Sequence, residues 1–497
     1  MHIAIRADAS ASLGTGHLRR CLVLAHALAD GGAQVTFVCH PMDGVAAALL
    51  RGQPFACLWL PADAQPTCLD ATVALLQACA PHWLVVDHYA LDADWHEGMR
   101  DRLHCRILVI DDLADRRLAP DLLVDPNFHE DPAQKYHAVL QPGTKMLAGP
   151  RFALLAPAYA LSERYAFNER VRSIGIFMGG SDPGGTCSVA LQACRTVAGF
   201  AGPIEIVSSV LSPHYESLRQ DCLAWPGTTL LADLPDLAAF FARHDMQIGA
   251  GGGATWERCY AGAPTVACVI APNQMATLPA LHARGVLLWA QSSGDLQQSI
   301  GAAVLALLQD PVLRQDLSQR SRTLVDGRGA ARVAAVMLGT TLRAPTVRRA
   351  TQADEALLLD WANDPMVRTH AFRSAEIQPR DHAAWLRARL AEPAQCRMYI
   401  VESANGIPLG QVRFDHCDAG WEISYSLDSV FRQTGLARSL LQAALATLHQ
   451  AVGETHAIGR VKHANVASSR VFLGLGFTPQ EAQDARGPHL LYTLTLR

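Results

Sequence analysis

The first residues that could do chemistry are a histidine and the two closely spaced glycines just before it. Gly14, Gly16 and His17 follow the apolar stretch Ile3–Ala7, so the pattern predicts a strand, a short loop and a helix that begins near His17. Glycines let the backbone turn sharply and approach a ligand. A helix N-terminus suits an anion such as a diphosphate and disfavours a protonated imidazole, so a neutral His17 could accept a proton. An incidental histidine in a strand–turn–helix unit is the alternative.

Polar side chains also stand where several predicted strands of the first 155 residues end. The strand ends concerned are Arg6 and Asp8, Asp87-His88-Tyr89, and Asp111-Asp112. Strands that alternate with helices predict a parallel sheet, whose ligands bind at the carboxyl ends of its strands. Such side chains serve either as active-site groups or as caps of the following loop, and the sequence alone leaves both roles open.

A second glycine-rich turn lies in the middle of the chain. Gly251–Gly253 follow the strand-like stretch Met246–Gly249 and open a predicted helix. Backbone N–H groups in such a turn can approach a diphosphate. Glu257 comes one helical turn after Gly253, so its carboxylate could accept hydrogen bonds from a sugar diol. The stretch Gly179–Asp182 follows another predicted strand and is a weaker signal of the same kind. A packing role for the glycines is the alternative.

Length and composition narrow the classes of protein that remain. The chain has 497 residues, of which 50% are hydrophobic and 18% charged, and its formal charge is −4, so we expect a globular protein that binds no nucleic acid. No apolar run is long enough for a membrane helix and no export signal is evident, so we expect a cytoplasmic protein without a membrane partner. The 13 cysteines and 20 histidines form no metal-ligand spacing, so we expect no metal.

Alternation of strands and helices runs through two successive regions and then stops. We predict an α/β fold with two Rossmann-like domains, residues 1–155 and 156–342, followed by a third domain, residues 346–497. In the third domain the stretches 397–401, 408–414 and 420–427 predict neighbouring antiparallel strands. The third domain therefore has a mixed, largely antiparallel α+β architecture.

The first 340 residues resemble a family of known enzymes. The motifs that carry the resemblance are Ile5-Arg6-Ala7-Asp8, Gly14-x-Gly16-His17-x-x-Arg20-Cys21, Gly179-Gly180-Ser181-Asp182, Gly251-Gly252-x-x-x-x-Glu257 and Asn273-Gln274. Together they resemble the UDP-sugar hydrolases of the pseudaminic-acid pathway, which act on UDP-2,4-diacetamido-2,4,6-trideoxy-β-L-altropyranose. The resemblance implies the arrangement of the two-domain GT-B glycosyltransferases. It also implies metal-independent attack of water at the anomeric carbon, with inversion and loss of UDP.

The roles of single residues follow from the strand ends, the glycine turns and this resemblance. His17 is the predicted base that activates the water, and Glu257 is expected on the ribose of UDP. The predicted substrate-binding residues are Arg6, Asp8, Gly14, Gly16, Tyr89, Gly180, Ser181, Asp182, Gly252, Gly253, Glu257, Asn273 and Gln274.

The third domain resembles the GNAT superfamily of N-acetyltransferases. Arg432-Gln433-Thr434-Gly435-Leu436-Ala437 stands between a predicted strand and a predicted helix, where N–H groups would hold the diphosphate of coenzyme A. The stretch Asn465–Phe477 resembles the closing helix of that superfamily, with Phe472 where a tyrosine is frequent. Asp360–Arg368 resembles the acetyltransferases of nucleotide-linked amino sugars, including the UDP-4-amino-4,6-dideoxy-N-acetyl-β-L-altrosamine N-acetyltransferase.

This second resemblance implies acetyl-CoA as the co-substrate of the third domain. The predicted acetyl-CoA-binding residues are Leu427, Arg432, Gln433, Thr434, Gly435, Leu436, Ala437 and Asn465. Glu422, Ser424 or Tyr425 could deprotonate the amine through water, and each of them could also be an ordinary strand residue.

The two resemblances meet in one reaction sequence, because acetylation of a UDP-linked 4-amino sugar yields the diacetamido sugar that the hydrolase cleaves. We therefore predict a bifunctional enzyme with a UDP-linked amino sugar and acetyl-CoA as its substrates. A GT-B glycosyltransferase fused to an acetyltransferase is the alternative enzyme. A UDP-sugar-binding module with an inactive first site is the alternative that is not an enzyme. The sequence leaves the sugar stereochemistry, the acetyl-transfer base and the oligomeric state open.

Overall fold

The computed structural model separates into two compact units, Met1–Met337 and Leu338–Arg497. It describes all residues except 11–13, 42–43, 181, 233, 235, 292–293, 340–344, 405, 433 and 486. Each unit is described by itself.

The first unit begins with a parallel sheet of seven strands in the order β3-β2-β1-β4-β5-β6-β7. The strands are β1 (His2–Ala7), β2 (Gln34–Cys39), β3 (Ala56–Trp59), β4 (Trp83–Asp87), β5 (Arg106–Ile110), β6 (Leu122–Asp125) and β7 (Lys145–Ala148). Its helices are α1 (Gly16–Asp30), α2 (Val45–Leu50), α3 (Leu69–Leu76), α4 (Ala93–Leu103) and α5 (Pro132–Tyr136). The strand order reverses between β1 and β4, and a crevice for ligands opens at such a switch point.

The apolar residues of the first half explain why the sheet is parallel. All five residues of β4 are buried, because helices cover both faces of the sheet. Helix α1 buries Leu18, Cys21, Leu24 and Leu28, which share one helical face. This packing fixes the start of α1, and with it His17, at the switch point.

A second parallel sheet in the same unit repeats this strand order as β10-β9-β8-β11-β12-β13. Its strands are β8 (Ile174–Phe177), β9 (Ile204–Ser208), β10 (Thr228–Ala232), β11 (Met246–Ala250), β12 (Thr265–Cys268) and β13 (Leu288–Ala290). The helices of this half are α6 (Pro157–Leu161), α7 (Thr186–Gln192), α8 (Tyr215–Ala224), α9 (Ala238–Arg243), α10 (Ala254–Ala261), α11 (Thr277–Ala283), α12 (Leu296–Gln309), α13 (Pro311–Leu324) and α14 (Gly329–Leu338). The Gly251–Gly253 turn lies between β11 and α10, at the switch point of this second sheet.

The second unit has one mixed sheet in the order β14-β15-β16-β17-β18-β20-β19. Its strands are β14 (Thr346–Arg349), β15 (Cys396–Glu402), β16 (Pro408–Cys417), β17 (Gly420–Leu427), β18 (Thr455–Val461), β19 (Thr478–Asp484) and β20 (Gly487–Leu496). Its helices are α15 (Glu355–Asn363), α16 (Pro365–His370), α17 (Pro379–Ala391), α18 (Leu436–Val452) and α19 (Val466–Gly474). Strands β17 and β18 pair in parallel, and the other neighbouring strands of this sheet pair antiparallel.

The predicted fold class is confirmed: two parallel α/β sheets of Rossmann strand order precede a mixed, largely antiparallel sheet. The domain boundaries at residues 155 and 342 stay predictions, and residue 342 lies outside the described residues. No helix in the described part of the chain combines the length and apolar character needed to cross a membrane.

Candidate functional site

His17 makes a direct hydrogen bond to a buried carboxylate at the switch point of the first sheet. Strands β1 and β4 are parallel neighbours, and their register sets Ala7 opposite Asp87. The Nδ1 atom of His17 lies 2.6 Å from Oδ1 of Asp87, whose side chain is fully buried, whereas the His17 side chain is 15% exposed. The imidazole is therefore held through its Nδ1 atom, and another part of the side chain is exposed to solvent.

Arg20 keeps the Asp87 carboxylate charged. Its Nε and Nη2 atoms donate to the two carboxylate oxygens, each at 2.6 Å. Burial by itself would raise the pKa of Asp87, but the charges of Arg20 and His17 and their hydrogen bonds hold it well below its usual range. An ionised carboxylate only accepts hydrogen bonds, so Nδ1 of His17 donates to it, and in a neutral imidazole held this way Nε2 is the nitrogen with the free lone pair. This is the geometry of a general base with an orienting carboxylate.

Tyr89 packs against the same imidazole. Its ring meets that of His17 edge to face with 4.7 Å between the centroids. The hydroxyl donates to Oδ1 of Asp112 at 2.5 Å, and burial, together with the charge of Asp112, raises the pKa of Tyr89. Tyr89 is therefore a neutral neighbour of His17 that is tied to the end of β5.

Arg6 and Asp8, two of the predicted substrate-binding residues, form a pair with each other. Both are buried, and two hydrogen bonds of 2.5 and 2.8 Å join them. Asp8 also accepts from the backbone N–H of His40 at 2.7 Å and lies 3.3 Å from Nε2 of His88. With its oxygens used in this way, the pair fixes the carboxyl ends of β1 and β2, and its contact with a substrate stays a prediction.

The two predicted glycines of the opening loop have open surroundings where a side chain would begin. Gly14 has a φ of +77°, which favours glycine, and a Cβ there or at Gly16 would meet no atom of the described residues within 4 Å. Gly16 begins α1. As far as the described residues go, the space at these two glycines is therefore open.

The three glycines of the second turn have different structural reasons. A Cβ on Gly251 would lie 2.7 Å from Leu278, so this glycine serves packing. Gly253 has a φ of −54°, and a Cβ there would meet nothing within 4 Å in the part of the chain that the structure describes. Among the same residues, a Cβ on Gly252 would meet only Nε2 of Gln274, at 3.6 Å. Neither packing nor conformation demands the last two glycines, whose absent side chains leave space before the start of α10.

Gln274 holds this turn in shape. Its Oε1 accepts the backbone N–H groups of Gly251 and Ile270 at 3.2 and 3.0 Å. Asn273 stands beside it and donates through Nδ2 to Oδ2 of Asp112 at 3.4 Å. The predicted pair Asn273-Gln274 thus braces the glycine turn on one side and contacts the first half of the unit on the other.

Glu257 lies in the first turn of α10, half-buried. Burial raises its pKa, although Tyr159, Arg258 and Arg19 offset part of that rise. Arg19 belongs to α1, so a cation of the first half acts on this carboxylate of the second half. A carboxyl group in this position can take hydroxyl groups of a ligand as hydrogen-bond donors.

The turn after β8 gives its residues separate roles. Asp182 is buried and accepts the backbone N–H groups of Thr186 and Cys187 at 2.8 and 3.0 Å, so it caps the start of α7. A Cβ on Gly180 would meet no atom of the described residues within 4 Å. Ser181 lies outside the described residues. Substrate contact at this turn stays a prediction.

In the second unit, the described residues of β17 pair with β18 only from Trp421 to Ile423. The residues that follow on β17, up to Leu427, have no partner on β18 among the described residues. Helix α18 begins with Leu436 and Ala437 directly after Gly435, whose φ is +80°. A turn and helix start of this kind offer N–H groups to a diphosphate.

The other predicted acetyl-CoA residues surround this turn or cap the next helix. Arg432 forms an ion pair of 2.7 Å with Asp364, and Thr434 donates to the carbonyl of Phe431 at 2.6 Å. Asn465 accepts the backbone N–H of Ser468 at 3.1 Å at the start of α19. Gln433 lies outside the described residues.

The structure separates the three candidate bases of acetyl transfer. Glu422 and Ser424 share one face of β17, since strand side chains alternate. Oε2 of Glu422 accepts from Nε of Arg460 at 3.1 Å. Tyr425 is on the opposite face, where its hydroxyl lies 2.8 Å from that of Ser468 and its ring meets Phe472. Burial raises the pKa of Tyr425.

Three residues of these sites have no assigned role in the sequence-based prediction: Asp87, Arg20 and Asp112. Asp87 and Asp112 are visible in the sequence as acids at strand ends, and Arg20 as part of the histidine motif. Their pairings join positions far apart in the chain, so spacing alone does not reveal them. Within the described residues, no group of three His, Cys, Asp or Glu side chains is arranged to hold a metal ion.

The class of the second unit is defined by its match to a known family. Residues 346–478 match the family described as Acetyltransferase (GNAT) domain, so the C-terminal region carries a GNAT acetyltransferase domain.

The N-terminal region matches two curated proteins. The spore coat polysaccharide biosynthesis protein SpsG of Bacillus subtilis is 23% identical over 341 residues, which are 68% of this chain and 98% of that protein. The UDP-2,4-diacetamido-2,4,6-trideoxy-β-L-altropyranose hydrolase of Campylobacter jejuni is 25% identical over 182 residues, 37% of this chain and 61% of that enzyme. Among solved structures, Acinetobacter baumannii MurG is 15% identical, with a TM-score of 0.49, over 68% of this chain and 99% of that one.

Proposed function

We propose that this chain is a bifunctional nucleotide-sugar enzyme. Its second unit acetylates the 4-amino group of a UDP-linked amino sugar. Its first unit then hydrolyses the resulting UDP-2,4-diacetamido-2,4,6-trideoxy-β-L-altropyranose to UDP and the free sugar. The observation that carries the proposal is the His17–Asp87 hydrogen bond of 2.6 Å beside a glycine loop with open space. The two matches of the N-terminal region and the GNAT match support the choice of substrates.

In the hydrolytic step, His17 acts as the base. A water oxygen forms a bond to the anomeric carbon, the bond from that carbon to the UDP oxygen breaks, and UDP leaves with the electron pair. The water gives its proton to Nε2 of His17, and the ionised Asp87 stabilises the imidazolium that forms. Attack from the side opposite UDP inverts the configuration of the carbon. These steps need no metal, as the sequence predicts.

The second half of the first unit binds UDP. The N–H groups at the start of α10, behind the open space of Gly252 and Gly253, receive the diphosphate. The Glu257 carboxyl group accepts the ribose hydroxyls, which replace the hydration that its burial removes. Asn273, Gln274 and the turn at Gly180 complete the proposed binding site.

In the acetyl-transfer step, the sugar amine attacks the thioester carbonyl of acetyl-CoA. A carbon–nitrogen bond forms, the carbon–sulfur bond breaks, and coenzyme A leaves. The amine loses its proton through water, with Glu422, Ser424 or Tyr425 as the candidate base. The start of α18 receives the coenzyme diphosphate, as the GNAT family match supports.

Two other functions make different predictions for one experiment. The full-length protein is incubated with acetyl-CoA and the UDP-linked 4-amino sugar, without any acceptor, and the products are followed by anion-exchange chromatography and mass spectrometry. The proposal predicts UDP, coenzyme A and free diacetamido sugar. Acetylated nucleotide sugar that stays uncleaved would contradict the hydrolase and favour the glycosyltransferase. If UDP-sugar binds but nothing is cleaved even with acceptors, the first site is a binding module.

The same assay applied to His17→Asn separates the two activities. The variant should lose UDP release and keep acetylation, since His17 belongs to the first unit alone. His26→Asn is the matched control, because His26 lies on the same helix but bonds Gln53, in the loop between α2 and β3. Loss of both activities in His17→Asn would contradict independent sites.

A further inference from the structure

Asp112 joins the candidate base of the first half to two elements of the second half. Its Oδ1 accepts the hydroxyl of Tyr89 at 2.5 Å, and Tyr89 packs edge to face on His17. Its Oδ2 accepts from Asn127 at 3.2 Å and from Asn273 at 3.4 Å. Asn127 follows β6 of the first sheet, whereas Asn273 follows β12 of the second.

The contact through Asn127 continues to the helix that carries Glu257. The indole Nε1 of Trp256 donates to Oδ1 of Asn127 at 3.1 Å. An indole only donates and a carboxylate only accepts, so these two partners fix the orientation of the Asn127 amide. A continuous path of hydrogen bonds therefore runs from Trp256, the neighbour of Glu257, through Asn127 and Asp112 to Tyr89.

All hydrogen-bond donors to the Asp112 side chain in the described part of the chain are neutral. The nearby cation Lys135 donates instead to the backbone carbonyl of Asp112, at 2.8 Å, and to the Asp125 carboxylate. Each neutral donor comes from a different loop: the one after β4, the one after β6 or the one after β12. The arrangement thus fixes three loops against one another.

We propose that Asp112 is a positioning residue of the hydrolytic site. Through Tyr89 it holds the imidazole of His17 in the orientation set by Asp87, and through Asn127 and Asn273 it links that orientation to the half that binds UDP. The proposal rests on the proposed hydrolysis. It adds that the imidazole of His17 keeps its orientation only while the loops of the two halves are hydrogen-bonded to Asp112.

The first test is kinetic and uses the full chain. Asp112→Asn and Tyr89→Phe should each lower kcat for UDP release about tenfold, the scale of a partly lost orientation, with KM changed less than about twofold. The double variant should be no slower than the slower single variant, because both act through one contact. Asp115→Asn, an exposed acid of the same loop that pairs only with Arg116 among described residues, should stay at the wild-type rate.

A wild-type kcat in Asp112→Asn, or effects that multiply in the double variant, would overturn the proposal.

The second test needs no turnover and therefore separates this proposal from the proposed function. The rate at which diethyl pyrocarbonate modifies His17 is measured by peptide mass spectrometry without substrate. Asp112→Asn should be modified several-fold faster than the wild type, since its imidazole loses the support of Tyr89, and Asn273→Ala should change in the same direction by a smaller factor. Wild-type rates in both variants would overturn the proposal even if the enzyme hydrolyses its substrate. If the wild type releases no UDP, the proposed function fails and the modification rates still decide the role of Asp112.

Discussion

Arg20 meets Asp87 with two parallel hydrogen bonds of 2.6 Å, one from Nε and one from Nη2. Such a paired contact holds a carboxylate in position as well as in charge. One oxygen of Asp87 also accepts Nδ1–H of His17. The orientation of the imidazole is therefore fixed by an arginine that lies one helical turn further along α1.

We predict that Asp87→Asn nearly abolishes hydrolysis while the protein stays folded. The amide can donate to Nδ1 and so favour the tautomer whose Nε2 carries the proton, which cannot act as a base. The expected loss in kcat is roughly 10²–10⁴-fold, the range for general-base catalysis. Initial rates of UDP release measure it, with acetylation as the internal control. A variant with near-wild-type kcat would show that Asp87 does not set the tautomer.

The glycines of the second turn provide a matched pair of substitutions. Gly251→Ala sets a Cβ 2.7 Å from Leu278, so it should lower the free energy of unfolding by about 1–3 kcal/mol, the usual cost of overpacking. In Gly252→Ala the new Cβ meets only the far end of Gln274 among the described residues, so the free energy of unfolding should change by less than about 0.5 kcal/mol. Gly252→Ala should instead raise the dissociation constant for UDP about tenfold, or about 1.4 kcal/mol. Denaturation curves and titration calorimetry measure both, and equal affinities for wild type and Gly252→Ala would remove this turn from the nucleotide site.

Glu257 gives a prediction on the pH dependence of stability. Because burial raises its folded pKa above the unfolded value, the folded state binds more protons and stability falls as pH rises from about 4.5 through the raised pKa. Glu257→Gln lacks this loss, so its Tm should exceed that of the wild type at pH 7 and approach it toward pH 4. Its affinity for UDP should fall about tenfold, because a neutral amide accepts hydroxyl groups less strongly. Thermal scans between pH 4 and 8 measure the first effect, and a wild-type Tm that rises with pH relative to the variant would contradict it.

The two faces of β17 allow the acetyl-transfer base to be identified. If Glu422 is the base, Glu422→Gln should lower the acetylation rate about 10²-fold or more, whereas Tyr425→Phe should keep most of it. Tyr425→Phe retains the ring contact with Phe472 and loses only the bond to Ser468. Release of coenzyme A, followed with a thiol reagent, measures both, and the reverse order of effects would assign the proton transfer to Tyr425.

The fold follows from the sequence where apolar runs are short and buried on both faces. β1, β4 and β11 read as such runs, so the parallel sheets are predictable from the chain. Strands β18, β19 and β20 are harder to predict. Every residue of β19 except Ala482 is exposed, and its pairing with β20 rather than its composition makes it a strand.

The site is predictable to the extent that local motifs define it. His17 and the Gly251–Gly253 turn stand out because a loop and a helix start are encoded in consecutive residues. Asp87 is 70 residues from His17 in the chain, and Asp112 meets Asn273 across 161 residues, so only the folded sheets bring them together. Arg6 and Asp8 are the reverse case. Their motif is conspicuous in the sequence and suggests contact with a substrate, but in the structure the two side chains form an ion pair with each other.

The short parallel ladder between β17 and β18 also bears on how the second unit folds. Three residues of each strand pair, and the 17-residue helix α18 lies between the two strands in the chain. The entropy lost on closing this loop must be overcome before so small a ladder stabilises anything. We therefore expect the two strands to join only after α18 has packed on β14, β15 and β16. Substitutions in the core of α18 should then slow refolding, whereas those in the ladder should mainly speed unfolding.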